Sequence, residues 1–289
     1  MGVSAAPSFP RWCHEGFEVT NHARLVFVTG ASSGLGQALA LRYYQAGYRL
    51  ALAARQVAAV EAWAQNNQMT ADRFEVYAVD VTLPQSLRAA AEACMASQGL
   101  PDVVLACAGM SVGVDTAAAA DLTVMRETFL TNNLGTAATF SPFLPMMRQR
   151  QSGSLVGLGS VNGIRGFAGH GANCPSKAAM INYLECLRLE CKGTGVHVVT
   201  ICPGYVATRL TAGNEFSMPF LLQPQEFADR AFKAINAGVG YRVIPWQMGV
   251  VAKVLRLLPN WVFDAAFAGR KRKPRKNGGA NTVEEHPNL

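Results

Sequence analysis

The chain has 289 residues, half of them hydrophobic and only 16% charged, enough for one large domain whose sheet is buried on both faces. Its net charge of +7 belongs to a tail, because removing the six cations of residues 269–276 (GRKRKPRK) leaves +1 on a nearly neutral body. The seven cysteines form no C-x-x-C pair and share no ligand spacing with histidine, which excludes a disulfide scaffold and a zinc site and fits free thiols in a reducing compartment.

Residues 1–22 hold Pro7, Pro10 and Gly16 with no apolar stretch after a basic start. They read as an irregular leader without a secretory signal, and the expected location is cytoplasmic. Residues 25–28 (LVFV) read as a buried strand and 37–46 as a helix, with Gly30, Gly34 and Gly36 in the turn between them. Glycines serve such a turn because the chain reverses tightly and its backbone must approach a ligand closely. The free N–H groups at the following helix N-terminus would then face a pyrophosphate. Strand and helix go on alternating: strands at 49–53, 74–79, 103–106, 154–159, 196–201 and 241–245, helices at 57–65, 85–97, 175–191 and 225–237. Between them, 122–150 reads as one or two helices bent or interrupted by Pro142 and Pro145. This pattern predicts an α/β fold: a doubly wound parallel sheet, Rossmann-like, in a single domain over residues 23–245.

Residues 246–268 are apolar but interrupted by Lys253, Arg256, Pro259 and Asp264, so they read as two amphipathic helices and not as a membrane span. They form a C-terminal helical extension, followed by a polybasic, disordered tail over 269–289. Apolar helices beside six clustered cations fit peripheral contact with an anionic membrane surface, although a helix packed on the domain explains them equally well. Nucleic acid is disfavoured because the basic run has no interleaved aromatics.

The turn Thr29–Gly36 (TGASSGLG) resembles the Thr-Gly-x-x-x-Gly-x-Gly motif of the short-chain dehydrogenase/reductase family, and the resemblance runs from about residue 23 to 245. It implies a nicotinamide cofactor held by Gly30, Ser32, Ser33, Gly34, Leu35 and Gly36. Arg55, after the second strand, stands where an acidic residue would accept from a ribose 2′-hydroxyl. An arginine accommodates a 2′-phosphate, so the expected cofactor is NADP(H). Asp80 and Val81 resemble the family's adenine-contacting pair, with helix capping as the equal alternative for Asp80. Ala108 and Gly109 keep the second half of the family's Asn-Asn-Ala-Gly, with Ala106 and Cys107 in place of both amides. Pro203, Gly204, Val206 and Thr208 resemble the Pro-Gly motif that meets the nicotinamide carboxamide.

By the same resemblance, Asn132 holds a water in a proton relay, Ser160 hydrogen-bonds a substrate carbonyl, and Lys177 faces the nicotinamide ribose. One departure bears on activity. The family's Tyr-x-x-x-Lys appears here as Asn173-Cys174-Pro175-Ser176-Lys177, right in register and wrong in residue type. A carboxamide cannot shuttle a proton near neutral pH. His170 titrates in the useful range but precedes the helix and is expected to face solvent. Two functions follow: an NADP(H)-dependent oxidoreductase scaffold for a carbonyl or secondary alcohol, impaired at Asn173, or a non-catalytic NADP(H)-binding sensor or scaffold. The stretch 207–224 sits where the family has its substrate loop, and Phe216, Met218, Phe220, Leu221 and Leu222 point to an apolar substrate or, equally well, to packing on the body or on a partner subunit. The resemblance also implies a homo-oligomer.

Overall fold

A computed structural model describes residues 23–32, 34–212, 217–269, 272, 273 and 275. The expected leader at 1–22, Ser33, Phe216 and the end of the chain beyond 275 lie outside the described residues.

Seven parallel strands form one sheet in the order β3-β2-β1-β4-β5-β6-β7. They are β1 (Leu25–Thr29), β2 (Arg49–Ala54), β3 (Phe74–Ala78), β4 (Val103–Ala106), β5 (Gly153–Leu158), β6 (Val196–Pro203) and β7 (Tyr241–Ile244). Every residue of β1 is buried, as a strand covered on both faces requires. Its side chains alternate between two cores. Val26 and Val28 meet Leu39 and Tyr43 of α1 (Gly34–Gln45), Val60 of α2 (Val57–Asn66) and Phe227 of α8 (Pro224–Asn236). Leu25 and Phe27 face the opposite layer, which includes Leu87 of α3 (Pro84–Ser97), Phe140 and Leu184. Phe27 is fully buried and meets the Phe143 ring in a tilted contact, with centroids 4.9 Å apart. Such a side chain contributes roughly 1.5–3 kcal/mol by leaving water.

The stretch 121–150 is continuous from α4 (Asp121–Phe129) through a π-helical turn (Leu130–Leu134) into α5 (Gly135–Phe140), and α6 (Leu144–Arg150) begins anew. Pro145 lies in the first turn of α6, where its missing N–H costs nothing, so it starts a helix and does not bend one. The long α7 (Asn173–Glu190) follows β5, and α9 (Trp246–Leu257) and α10 (Asn260–Phe267) follow β7. Arg165 fastens these last helices to the domain. It donates at 2.7 Å to the carbonyls of Leu255 and Leu258, capping the end of α9, and at 2.8 Å to Asn260. Its guanidinium also sits 4.1 Å over the Phe263 ring. The chain winds outward from β1 to β3, then returns to β4 on the other side of β1. The crevice at the carboxyl ends of β1 and β4 is therefore the place where a ligand fits.

Candidate active site

The turn after β1 is built against the loop after β4. Gly30 has φ +69°, and a Cβ there would lie 2.7 Å from the Ala108 backbone nitrogen. A Cβ at Gly36 would fall 2.2 Å from the Gly30 carbonyl oxygen. Gly34, at φ +55°, opens α1, so the helix starts three residues earlier than its apolar periodicity suggested. The result is a cavity of about 730 Å³ along the carboxyl edge of the sheet. Its walls bring together Gly30, Ser32, Gly34, Leu35, Arg55, Asp80, Val81, Ala108, Gly109, Ser160, Asn173, Lys177, Pro203, Gly204, Val206 and Thr208. Gly36 and Asn132 stand behind this surface, the first at the back of the turn and the second fully buried.

Asp80 does not cap α3. Its Oδ1 accepts from the Thr82 N–H at 2.9 Å and the Thr82 hydroxyl at 2.7 Å, closing the turn after β3, while Leu83 occupies the cap position. Those bonds, with a smaller contribution from Arg55, hold the Asp80 carboxyl below its ordinary range. Val81 rests on Gly135, where a Cβ would lie 3.0 Å from Val81 Cγ2, so the Asn-x-x-Gly spacing is also a packing requirement.

Asn132 sits in the π-helical turn, a local widening that often marks a working site. Its Nδ2 donates to the Met110 carbonyl at 3.0 Å and to Ser176 Oγ at 2.9 Å, and its Oδ1 accepts from Met110 N–H at 2.9 Å. Both amide protons are thus spent, one on the loop after β4 and one on α7, and one lone pair of Oδ1 remains. Ser160 Oγ accepts from Asn162 N–H at 3.1 Å, which leaves its own proton for an acceptor in the cavity. Lys177 Nζ donates to the Leu158 carbonyl at 2.8 Å. Burial, opposed by the neighbouring Cys202 and Cys107, pushes its ammonium down to about 8. Burial likewise drives the Cys107 thiol up to about 12, so it stays uncharged. Asn173, the first residue of α7, is 2% exposed, and its Oδ1 has no hydrogen-bond partner. A buried acceptor left open on a cavity wall awaits a donor from a ligand.

Two expectations are corrected, and a third divides between its alternatives. His170 does not face solvent: it is 9% exposed and lines the cavity, and burial, with the charge of Lys273, holds its pKa below the ordinary value. The basic run is not wholly a free tail. Arg272 packs on Gly169, Lys273 reaches the cavity wall and donates to Ser111 Oγ at 2.8 Å, and Arg275 makes two 2.9 Å bonds to buried Asp121. The stretch 207–224 divides between its two readings. Phe220 and Leu221 are exposed and Leu222 joins the core. A second cavity of about 580 Å³ takes its apolar wall from Phe167, Met248, Val251, Ala252, Leu255 and Phe267, with Ser217 and Pro219 from the loop. Val161, Asn162, His170 and Tyr205 line both cavities and mark their junction. The helical extension was legible in the sequence, but not that it forms the wall of a pocket.

Residues 24–217 match the family described as short chain dehydrogenase. A Myxococcus xanthus protein named "Uncharacterized oxidoreductase" is 39% identical over 243 residues, covering 84% of this chain and 96% of the relative. The Bos taurus dehydrogenase/reductase SDR family member 7B is 29% identical over 275 residues, covering 88% of this chain and 83% of the relative. An alcohol dehydrogenase from the archaeon Thermococcus sibiricus, solved in complex with 5-hydroxy-NADP, shares the fold with a TM-score of 0.68. It is 23% identical, and the match covers 77% of this chain and 96% of that one. With its glycine turn, its sheet-edge cavity and its Ser160 and Lys177 on one wall, the chain belongs to the short-chain dehydrogenase/reductase family of oxidoreductases, whose members bind nicotinamide cofactors.

Proposed function

We propose that the chain is an NADP(H)-dependent oxidoreductase scaffold for a carbonyl or secondary alcohol with apolar character, impaired at the proton-transfer step by Asn173. The observation that carries this reading is the gathering of Ser160, Asn173 and Lys177 on the wall of the same cavity as the glycine turn. The residues fit a dinucleotide. The turn has no room for a Cβ at Gly30 or Gly36, a buried ammonium faces the cavity, and the open Asn173 Oδ1 lacks a donor. The N–H groups at the start of α1 would hold the diphosphate, and Asp80 and Val81 the adenine. Arg55 would pair with the 2′-phosphate. Ala108 and Gly109 would floor the cleft, Lys177 would meet the nicotinamide ribose, and the stretch from Pro203 to Thr208 the carboxamide.

The bound nicotinamide supplies the hydride. As negative charge builds on a carbonyl oxygen, Ser160 donates its free proton in a hydrogen bond to that oxygen. Asn132 keeps the loop after β4 in place through Met110. Asn173 can hydrogen-bond the same oxygen but delivers no proton, so the alcohol must be completed from water. The same residue favours a second reading, a non-catalytic NADP(H)-binding protein that uses the intact cleft alone.

Fluorescence titration with NADPH and NADH tests the cofactor assignment. NADPH should bind more tightly, and Arg55→Asp should narrow or reverse the difference. Equal affinities in the unmodified protein would overturn it.

A further inference from the structure

We propose that Lys273 is the binding group for an oxyanion, the head of an amphiphile whose apolar chain lies in the second cavity. This deepens the substrate class and rests on reading the two cavities as cofactor and substrate sites.

Lys273 is delivered to its place from the end of the chain. Arg275, two residues on, grips both carboxylate oxygens of Asp121, and Asp121 is further fixed by the Asp115 N–H at 2.7 Å. Gly113 bridges to Arg275 along the backbone, and Arg272 lies on Gly169. Pinned on both sides, Lys273 reaches the wall of the first cavity and donates to Ser111 Oγ. A hydroxyl is a neutral partner, so two N–H donors of the ammonium are left over and its charge is not compensated, while burial holds its pKa below the ordinary value. Among the described residues no carboxylate pairs with it. Its neighbours are His170, which it disfavours from charging, and Cys174, a thiol that burial keeps protonated, pushed up to about 11.

A partly buried cation without a counter-charge is unfavourable, and a fold that anchors one there gains when an anion completes it. His170 lines both cavities, so the charge of Lys273 sits beside their junction. Beyond that junction the wall is Phe167, Met248, Val251, Ala252, Leu255 and Phe267. An apolar chain there would bring its polar end to Lys273. The cofactor's own phosphates are separately provided for by the glycine turn and Arg55 on the far side of the sheet's switch point.

Equilibrium binding of decanoate, decyl phosphate and 1-decanol to the full chain, with and without NADPH, tests this. The two anions should bind at least about tenfold more tightly than the alcohol, the advantage of a charge-assisted hydrogen bond, and added salt should shrink the gap. Lys273→Met should bring the anions down to the level of the alcohol while leaving decanol and NADPH affinity unchanged. Lys273→Arg should keep the preference, and Asp121→Asn should lose it by releasing Arg275. Decanoate against decyl phosphate distinguishes a carboxylate from a phosphate head. Equal binding of anion and alcohol, no binding of any probe, or a Lys273→Met variant that weakens all probes alike would overturn the proposal. Failure of NADPH to bind, with the anion preference intact, would count against the cofactor reading and not against this one.

Discussion

Replacing Asn173 with tyrosine is the perturbation with the largest expected gain. The substitution gives up little: Asn173 Oδ1 has no partner to lose, and the residue already lines a cavity of about 730 Å³ into which a ring can extend. It places a phenol one helical turn from Lys177, whose Nζ is fixed at 2.8 Å from the Leu158 carbonyl. Because that ammonium is still mostly charged at neutral pH, with its pKa at about 8, it favours the phenolate and draws the phenol toward the working range. A positioned acid of this kind contributes roughly 10²–10⁴-fold, or about 2.7–5.4 kcal/mol of barrier. Loss of NADPH absorbance with medium-sized apolar ketones should therefore rise at least about 10²-fold in Asn173→Tyr, with little change in NADPH affinity. Adding Lys177→Ala should remove most of the gain. No turnover across a broad carbonyl and alcohol panel, with NADPH still bound, would refute the reasoning and favour the non-catalytic reading.

Two further outcomes follow. In the cofactor-free chain the Lys177 ammonium is depressed to about 8, so its penalty is fully present below pH 8. It is relieved as pH rises toward the unfolded value near 10.4, since the unfolded chain then holds the proton that the fold has released. Chemical denaturation should show the native chain gaining up to about 3 kcal/mol relative to Lys177→Met over that interval, and parallel pH profiles would contradict it. Trp246, Val250, Val254 and Leu257 lie exposed at helical spacing on the outer face of α9, continued by Trp261, with Lys253 and Arg256 beside them. Among the described residues no helix is long and apolar enough to cross a membrane, but this face fits an anionic membrane surface. Sedimentation with anionic vesicles should exceed that with neutral ones, fall with salt, and be lost in Leu257→Asp; equal sedimentation would refute it.

The sheet was readable because each strand buried on both faces is a short run of apolar residues, and LVFVT of β1 needs no tertiary information to be seen. The glycine turn was equally plain, since close backbone approach leaves no alternative residue at Gly30 or Gly36. The register of Asn173 with Lys177 was a matter of counting along a helix. The position of Lys273 was not legible, because it depends on an ion pair between Arg275 and Asp121, 154 residues apart, and a run of cations read locally is a solvated segment. The placement of His170 within reach of the charge of Lys273 is hidden for the same reason. The loop's apolar residues left two readings open because an exposed Phe220 and a core Leu222 carry the same local signal. The second cavity draws its wall from α9 and α10, whose apolar spacing alone does not tell which face turns inward.

Isotopic tracing tests the oxidoreductase claim most directly. With NADPH carrying two deuterons at C4 and an apolar ketone, Asn173→Tyr should yield an alcohol carrying deuterium on its carbinol carbon, and Ser160→Ala in that background should suppress the product. Alcohol formed without deuterium, or no alcohol from any ketone while NADPH binds saturably, would contradict hydride transfer in this cleft.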